Sequence, residues 1–193
     1  MDKNQKIKSD IDAYLQESLR IANHQLNLTD EIISISNTIQ NKLDNNGKIL
    51  ICGNGGSAAD SQHMAAELVV KFKNERKPIP AIALTTDSSI LTSIGNDFGF
   101  KYIFSRQLEA LGTKDDFLIV ISTSGKSENI IECLKIAKTL EIESMALLGS
   151  DSLAVQELTD HVITIPSEVT GVIQQAHITI AQLICFVLEK NKS

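Results

Sequence analysis

The stretch Lys48–Lys71, KILICGNGGSAADSQHMAAELVVK, constrains this chain more than any other. A short β-prone run, Lys48–Cys52, with Ile49, Leu50 and Ile51 at its centre, passes into Gly53-Asn54-Gly55-Gly56 and then into good helix formers. Glycine accepts positive φ and lets a ligand approach the backbone closely. The stretch therefore reads as strand, glycine-rich turn and helix, with Ser57 as the N-cap. Such a turn aims free backbone N–H groups along the positive end of a helix dipole, which suits a phosphate or another anion. The GxGxxG spacing of a dinucleotide fingerprint is not present after Gly53. On the helix, His63 and Glu67 are four residues apart. At roughly 100° per residue they stand about 40° apart, one turn above the other. That spacing serves a surface pair as well as a catalytic or metal-binding one.

The rest of the chain repeats this alternation. Ile11, Tyr14, Leu15, Leu19 and Ala22 form an apolar stripe on a helix that starts near Asp10. A second helix starts near Thr29 or Asp30, carries Ile32, Ile33, Ile35, Ile39 and Leu43, and closes at Gly47. Two helices before the first strand either cover this chain's own sheet or pack against another subunit. Further strands are expected at Ala81–Leu84, Phe117–Ile121, Ser144–Leu148 and His161–Ile165. Helices are expected from Asp87 or Ser88 to a break at Gly95-Asn96-Asp97, over Tyr102–Leu111, Glu128–Leu140 and Ala154–Leu158, and from Val172 to Lys190. Strands and helices alternating with short connections predict an α/β fold: a doubly wound, five-stranded parallel sheet flanked by helices. The chain reads as one domain over 1–193, with 1–46 as an N-terminal helical extension.

A net charge of −6 argues against nucleic acid as a partner through a basic surface. Cys52, Cys133 and Cys185 lie far apart in apolar runs and read as buried thiols of a reducing compartment. With no N-terminal h-region and no apolar run of membrane-spanning length, the expectation is a cytoplasmic protein without a membrane partner.

A second anion site is Ser122-Thr123-Ser124-Gly125-Lys126-Ser127, which follows the most β-prone run and precedes a helix. Its hydroxyls and N–H groups make a phosphate cradle at the carboxyl edge of a sheet, where ligands of open α/β folds bind. GxxxxGK[ST] is absent, so it is not a P-loop.

Four motifs in this order, CGNGGSAADSQHMAAEL, ALTTDSSILTSIGNDFGF, ISTSGKSENI and IQQAH, resemble the sugar isomerase (SIS) superfamily, and more closely its phosphoheptose isomerase family. The resemblance spans nearly the whole chain and implies an SIS fold and a ketose–aldose isomerase. The implied conversion is D-sedoheptulose 7-phosphate to D-glycero-D-manno-heptose 7-phosphate, in bacterial heptose biosynthesis for lipopolysaccharide or surface glycans. By the same resemblance, Ser122, Thr123, Ser124 and Ser127 bind the phosphate. Asn54, Gly55, Gly56, Asn96, Asp97, Glu67 and Gln174 meet the sugar. His63, Glu67 and Gln174 hold one zinc per subunit, with Glu67 also the catalytic base. The family is homotetrameric, with active sites between subunits.

One position departs from the family. Its second metal-binding histidine, eight residues after the glutamine, is Gln182 here. His177 matches a different histidine of the family. An amide can offer a neutral oxygen but cannot shuttle a proton, so Gln182 weakens both the zinc site and the second acid/base. This keeps open a catalytically impaired relative that binds the replication initiator protein or senses a sugar phosphate.

Overall fold

Five apolar runs become strands: β1 (Ile49–Gly53), β2 (Ala81–Ala83), β3 (Phe117–Ser122), β4 (Glu143–Leu148) and β5 (His161–Thr164). The computed structural model describes residues 2–149 and 152–191. All strand pairs are parallel, in the order β2-β1-β3-β4-β5. The chain winds outward one way from β1 and the other way from β3, so the carboxyl ends of these two neighbours form the topological switch point. The register sets Gly53 opposite Ile121, which brings the glycine turn and the serine loop side by side.

Among the described residues, eight α-helices cover the sheet: α1 (Lys3–Gln25), α2 (Thr29–Asp44), α3 (Gly56–Val69), α4 (Ser88–Asp97), α5 (Ser105–Leu111), α6 (Glu128–Thr139), α7 (Leu153–Gln156) and α8 (Thr170–Asn191). Successive strand residues face opposite ways. Ile49, Ile51, Phe117, Ile119 and Ile121 therefore meet α2, α3 and α8 on one face. Leu50, Cys52, Leu118 and Val120 meet α4, α5, α6 and α7 on the other. The doubly wound, five-stranded parallel architecture is the one that the alternating pattern predicts.

The two leading helices differ in role. In α2, Ile32, Ile35, Ile39 and Leu43 are buried in this chain's own core. In α1 only Ile21 is buried among the described residues, while Ile11, Leu15 and Leu19 are 54%, 53% and 59% exposed. Helix α1 lies along α8, where the Gln25 amide donates to the Ala176 carbonyl at 3.0 Å. It also reaches the segment before α8, where the Ser167 hydroxyl donates to Glu17 at 2.6 Å.

Several boundaries depart from the sequence expectation. Helix α1 begins at Lys3, seven residues before Asp10. Helix α2 begins at Thr29 with Leu28 at its N-cap position. Its end is a Schellman turn in which Asn46, at φ 64°, takes the left-handed position. Gly47 is needed for a different reason, because a side chain there would overlap the Asp115 carbonyl. Helix α4 runs through Gly95-Asn96-Asp97 and stops at Gly99, whose φ of 99° ends it. An interior glycine costs a helix only about 1 kcal/mol, too little to break it. The expected helix from Tyr102 is a short 3-10 turn at Phe100–Tyr102 followed by α5.

Helix α8 corrects a further expectation. This 22-residue helix holds an 18-residue stretch at mean hydropathy 1.6, long and apolar enough to cross a membrane. Val172, Ile173, Ile180, Ile184 and Leu188 of this helix are instead buried in the core. A core helix passes a hydropathy test for the same reason that a spanning one does.

Candidate functional site

The glycine turn is built by backbone geometry. Gly55 occupies the N-cap position of α3 at φ 55°, ψ −118°, a conformation that side chains disfavour. Ser57, the expected N-cap, is the second residue of the helix and is buried; its carbonyl accepts from Ser61 at 2.7 Å. Gly53 lies where a Cβ would overlap Ser57 and the Ile121 carbonyl, so strand and helix meet only because it is glycine. Asn54 and Asn129 exchange amide hydrogen bonds of 2.9 and 2.8 Å, which tie the turn to the start of α6 across the switch point. Asn129 is buried, and nothing local in the sequence marks it.

The serine loop is partly self-bonded. The Ser122 hydroxyl accepts from the Gly125 N–H at 3.1 Å, and Ser124 accepts from the Lys126 N–H at 3.2 Å. Two N–H groups of the expected cradle therefore hold the loop's own shape. Gly125 takes φ 61°, and its carbonyl accepts from Ser152 at 2.8 Å. Thr123 is partly buried beside Gly149, where a side chain would overlap its carbonyl. Ser127 is the N-cap residue of α6 with no side-chain capping bond. A cavity of about 250 Å³ opens here, lined by Asn54, Phe100, Lys101, Ser127, Glu128 and Asn129. Phe100 and Lys101 are lining residues that the motifs did not single out. Their place follows from Gly99, which turns the chain back toward α6.

Helices α3 and α8 run parallel along a seam that starts at the switch point. At its head the Gln174 amide lies against Gly56, so closely that any Cβ at 56 would displace it. Further along, Cys185 meets the Met64 carbonyl at 4.0 Å, and Glu189 bonds the Phe72 N–H at 3.1 Å. On this register Gln182 falls within about one turn of His63 along the seam. At roughly 100° per residue Gln182 is about 20° around α8 from Glu189, on the α3-facing flank. Its side chain is partly buried. His63 Nε2 and Glu67 Oε1 are 2.9 Å apart, with the imidazole about half exposed and the carboxylate less so.

The structure thus brings the glycine turn, the serine loop and Gln174 to one edge, with His63, Glu67 and Gln182 down the seam. It does not join them all. Among the described residues, neither Gln174 nor Gln182 hydrogen-bonds to the His63–Glu67 pair. No three His, Cys, Asp or Glu side chains converge there on one point. Asn96 and Asp97 lie exposed at the end of α4, where the Asn96 amide donates to Asp97 at 2.7 Å. They stand within a few residues of the cavity wall and outside it.

Two buried groups complete the surroundings. His177 is fully buried on α8, and among the described residues neither ring nitrogen makes a hydrogen bond of good geometry. Burial pushes its pKa down to about 4, against a smaller opposing pull from the Leu148 backbone. It belongs to the core. Asp60 sits one turn before His63 with Oδ2 buried and, among the described residues, unpartnered, and burial raises its pKa.

The chain is similar to known proteins over most of its length. The family model described as SIS domain matches residues 13–149. Phosphoheptose isomerase 1 of Campylobacter jejuni is 47% identical over 176 residues, covering 91% of this chain and 95% of that protein. A phosphoheptose isomerase of Geotalea daltonii is 49% identical over 164 residues, covering 85% of each. The solved structure of the Neisseria gonorrhoeae phosphoheptose isomerase superimposes with a TM-score of 0.88 at 38% identity, covering 95% of this chain and 99% of that one. The Francisella tularensis phosphoheptose isomerase gives 0.87 at 36% identity, covering 98% and 100%. Likeness of this extent, in sequence and in backbone alike, makes the chain a member of the SIS-domain family and, within it, of the phosphoheptose isomerases.

Proposed function

We propose that this chain is a ketose–aldose isomerase that converts D-sedoheptulose 7-phosphate to D-glycero-D-manno-heptose 7-phosphate in bacterial heptose biosynthesis. The observation that supports it most is the seam itself. A carboxylate bonded to an imidazole stands on the same helix whose first turn faces the phosphate loop across the switch point.

The loop residues Ser122, Thr123, Ser124 and Ser127 and the start of α6 take the phosphate. Asn54, Gly55, Gly56 and Gln174 line the entry to α3 and hold the sugar, with Asn96 and Asp97 closing on its hydroxyls. Glu67 removes a proton from C1 of the ketose. The C–H electrons form the C1=C2 bond, and the C2 carbonyl oxygen takes up a proton to give an enediol. Glu67 then returns its proton to C2 as O1 loses one, which leaves the aldose. No electrons are gained or lost overall. The 2.9 Å bond from His63 orients the carboxylate for both transfers. An amide at position 182 cannot relay the oxygen-bound protons, so solvent does so.

Zinc is the family's metal by resemblance. The donors here are one imidazole, one carboxylate and the amides of Gln174 and Gln182, with no third His, Cys, Asp or Glu among the described residues. That set does not fit a tightly held zinc, which prefers nitrogen and thiolate donors. We infer that any zinc at this seam is weakly held, and no step above depends on it. The exposed stripe of α1 supports self-association, for which we propose the homotetramer. Three free, buried cysteines suit the cytoplasm.

The Gln182 substitution favours a second reading, a sugar-phosphate binder with little turnover. An assay of sedoheptulose 7-phosphate turnover, with and without added zinc, separates the two. Formation of the aldose is the expected result. Tight binding of the sugar phosphate with no aldose formed would select the binder.

A further inference from the structure

Helix α3 ends in an unusual way. No glycine and no positive φ follows Val69, and the C-cap Val70 is at φ −91°, ψ −80°. The last carbonyls of a helix need other partners. Those of Glu67 and Leu68 accept from the Arg76 guanidinium, from Nη2 at 2.7 Å and Nη1 at 2.8 Å. Nη1 also donates to the Lys77 carbonyl at 3.0 Å. A continuing helix would give the Lys71 and Phe72 N–H groups to those carbonyls; the Leu68 carbonyl also accepts from the Ile79 N–H at 3.0 Å, which leaves the Glu67 carbonyl closed by Arg76 alone among the described residues. Here the N–H groups of Phe72, Lys73 and Asn74 turn instead to the carboxylate of Glu189, at 2.9 to 3.1 Å. Arg76 Nε stands 3.6 Å from Glu189, and the two side chains are 1% and 2% exposed. Burial alone would raise the Glu189 pKa; the N–H groups of residues 72–74 and the Arg76 charge outweigh it and hold the carboxyl ionised.

Glu67 sits in this last turn. Its bond to His63 needs the i, i+4 helical register, and terminal turns fray unless they are capped. A planar, five-donor fork is the group that can close two successive carbonyls at once. A cation is also favoured at the negative end of the helix dipole. We propose that Arg76, seated by Glu189, is a positioning residue for the isomerisation. By capping α3 it fixes where the Glu67 carboxylate stands beside His63. The pair links the crossover after α3 to the far end of α8, so three segments distant in sequence set the place of one carboxylate. This inference rests on the reading of Glu67 as the base.

The test is a double-mutant cycle read by kcat, KM for sedoheptulose 7-phosphate, and thermal midpoint. Arg76→Lys keeps the charge beside Glu189 and loses the fork. It should lower kcat about ten- to a hundredfold, the scale of a misplacement near 1 Å, and leave KM within about twofold. In the Glu67→Gln background, where no base remains to be placed, the same change should cost less than about twofold. A folded Arg76→Lys enzyme at full rate, or losses that multiply with Glu67→Gln, would overturn the proposal. Should Arg76→Lys not fold, Glu189→Gln replaces it with the same two criteria. If neither folds, the pair is a stability element alone and the positioning role falls. Near wild-type turnover in Glu67→Gln by itself would instead remove Glu67 as the base, whatever Arg76 does.

Discussion

Exchange of one carboxylate oxygen for an amide nitrogen at position 67 keeps the shape of the side chain and removes its capacity to accept a proton at neutral pH. Glu67→Gln should lower kcat by roughly 10²–10⁴ with an unchanged melting curve. Near-normal turnover would take Glu67 out of the mechanism. At position 182 the reverse experiment applies. Gln182 falls within about one turn of His63 along the seam between α3 and α8, so an imidazole there would offer a second nitrogen donor. The wild type should carry substoichiometric zinc, and Gln182→His should raise the zinc content measured by mass spectrometry, together with the isomerase rate. Full zinc occupancy in the wild type with no gain from the histidine would show that glutamine is no defect. Both side chains were legible in the sequence as chemistry. Their relation was not, because the 114 residues between them say nothing about which flank of α8 faces α3.

Among the elements, the loop after β3 carries the phosphate reading. Ser122 and Ser124 use their oxygens to hold loop N–H groups, so their removal would disturb the loop as well as any ligand. Ser127 has no such bond and lines the cavity, which makes it the clean probe. Ser127→Ala should raise KM for the sugar phosphate several-fold and change kcat less than twofold, as expected for a contact made equally in ground and transition states. Equal loss in kcat and kcat/KM would mean that the hydroxyl acts only in the transition state. The elements themselves were legible wherever a local rule governs them. Asp87 caps α4, with its carboxylate accepting from the Ile90 N–H at 2.9 Å. The rule failed at Ser57, because Gly55 reaches a backbone conformation that makes a side-chain cap unnecessary.

At the scale of the whole molecule, His177 couples the core to pH. Its pKa is about 4 in the folded chain against an ordinary 6.5. Between these values the unfolded chain binds a proton that the folded chain refuses. Stability is therefore complete above about pH 6.5 and falls as the pH drops toward 4, by about 3 kcal/mol in all. Melting points taken from about pH 7.5 down to about pH 5 should fall for the wild type. They should fall less for His177→Leu, which keeps a side chain of similar size in the core and has no group to protonate. An identical slope for both proteins would assign the acid loss to other groups. The same core explains α8, whose apolar length reflects burial on several sides by α2, α3 and the sheet.

The alternation of β-prone runs with helical stripes, the glycines and the hydroxyl-rich loop determined the doubly wound sheet and placed the glycine turn and the serine loop at its carboxyl edge. These are local properties: side-chain period, φ preference and capping chemistry act within a few residues. Tertiary structure alone decided that α2 belongs to the core while α1 keeps an exposed apolar stripe, although both carry the same kind of stripe. It also decided that Asn54 pairs with Asn129, that Gln174 lies on Gly56, and that Arg76 and Glu189 close the helix bearing Glu67. Each of those joins residues far apart in the chain. Their pairing is set by how helices pack on a sheet whose strand order no local signal encodes.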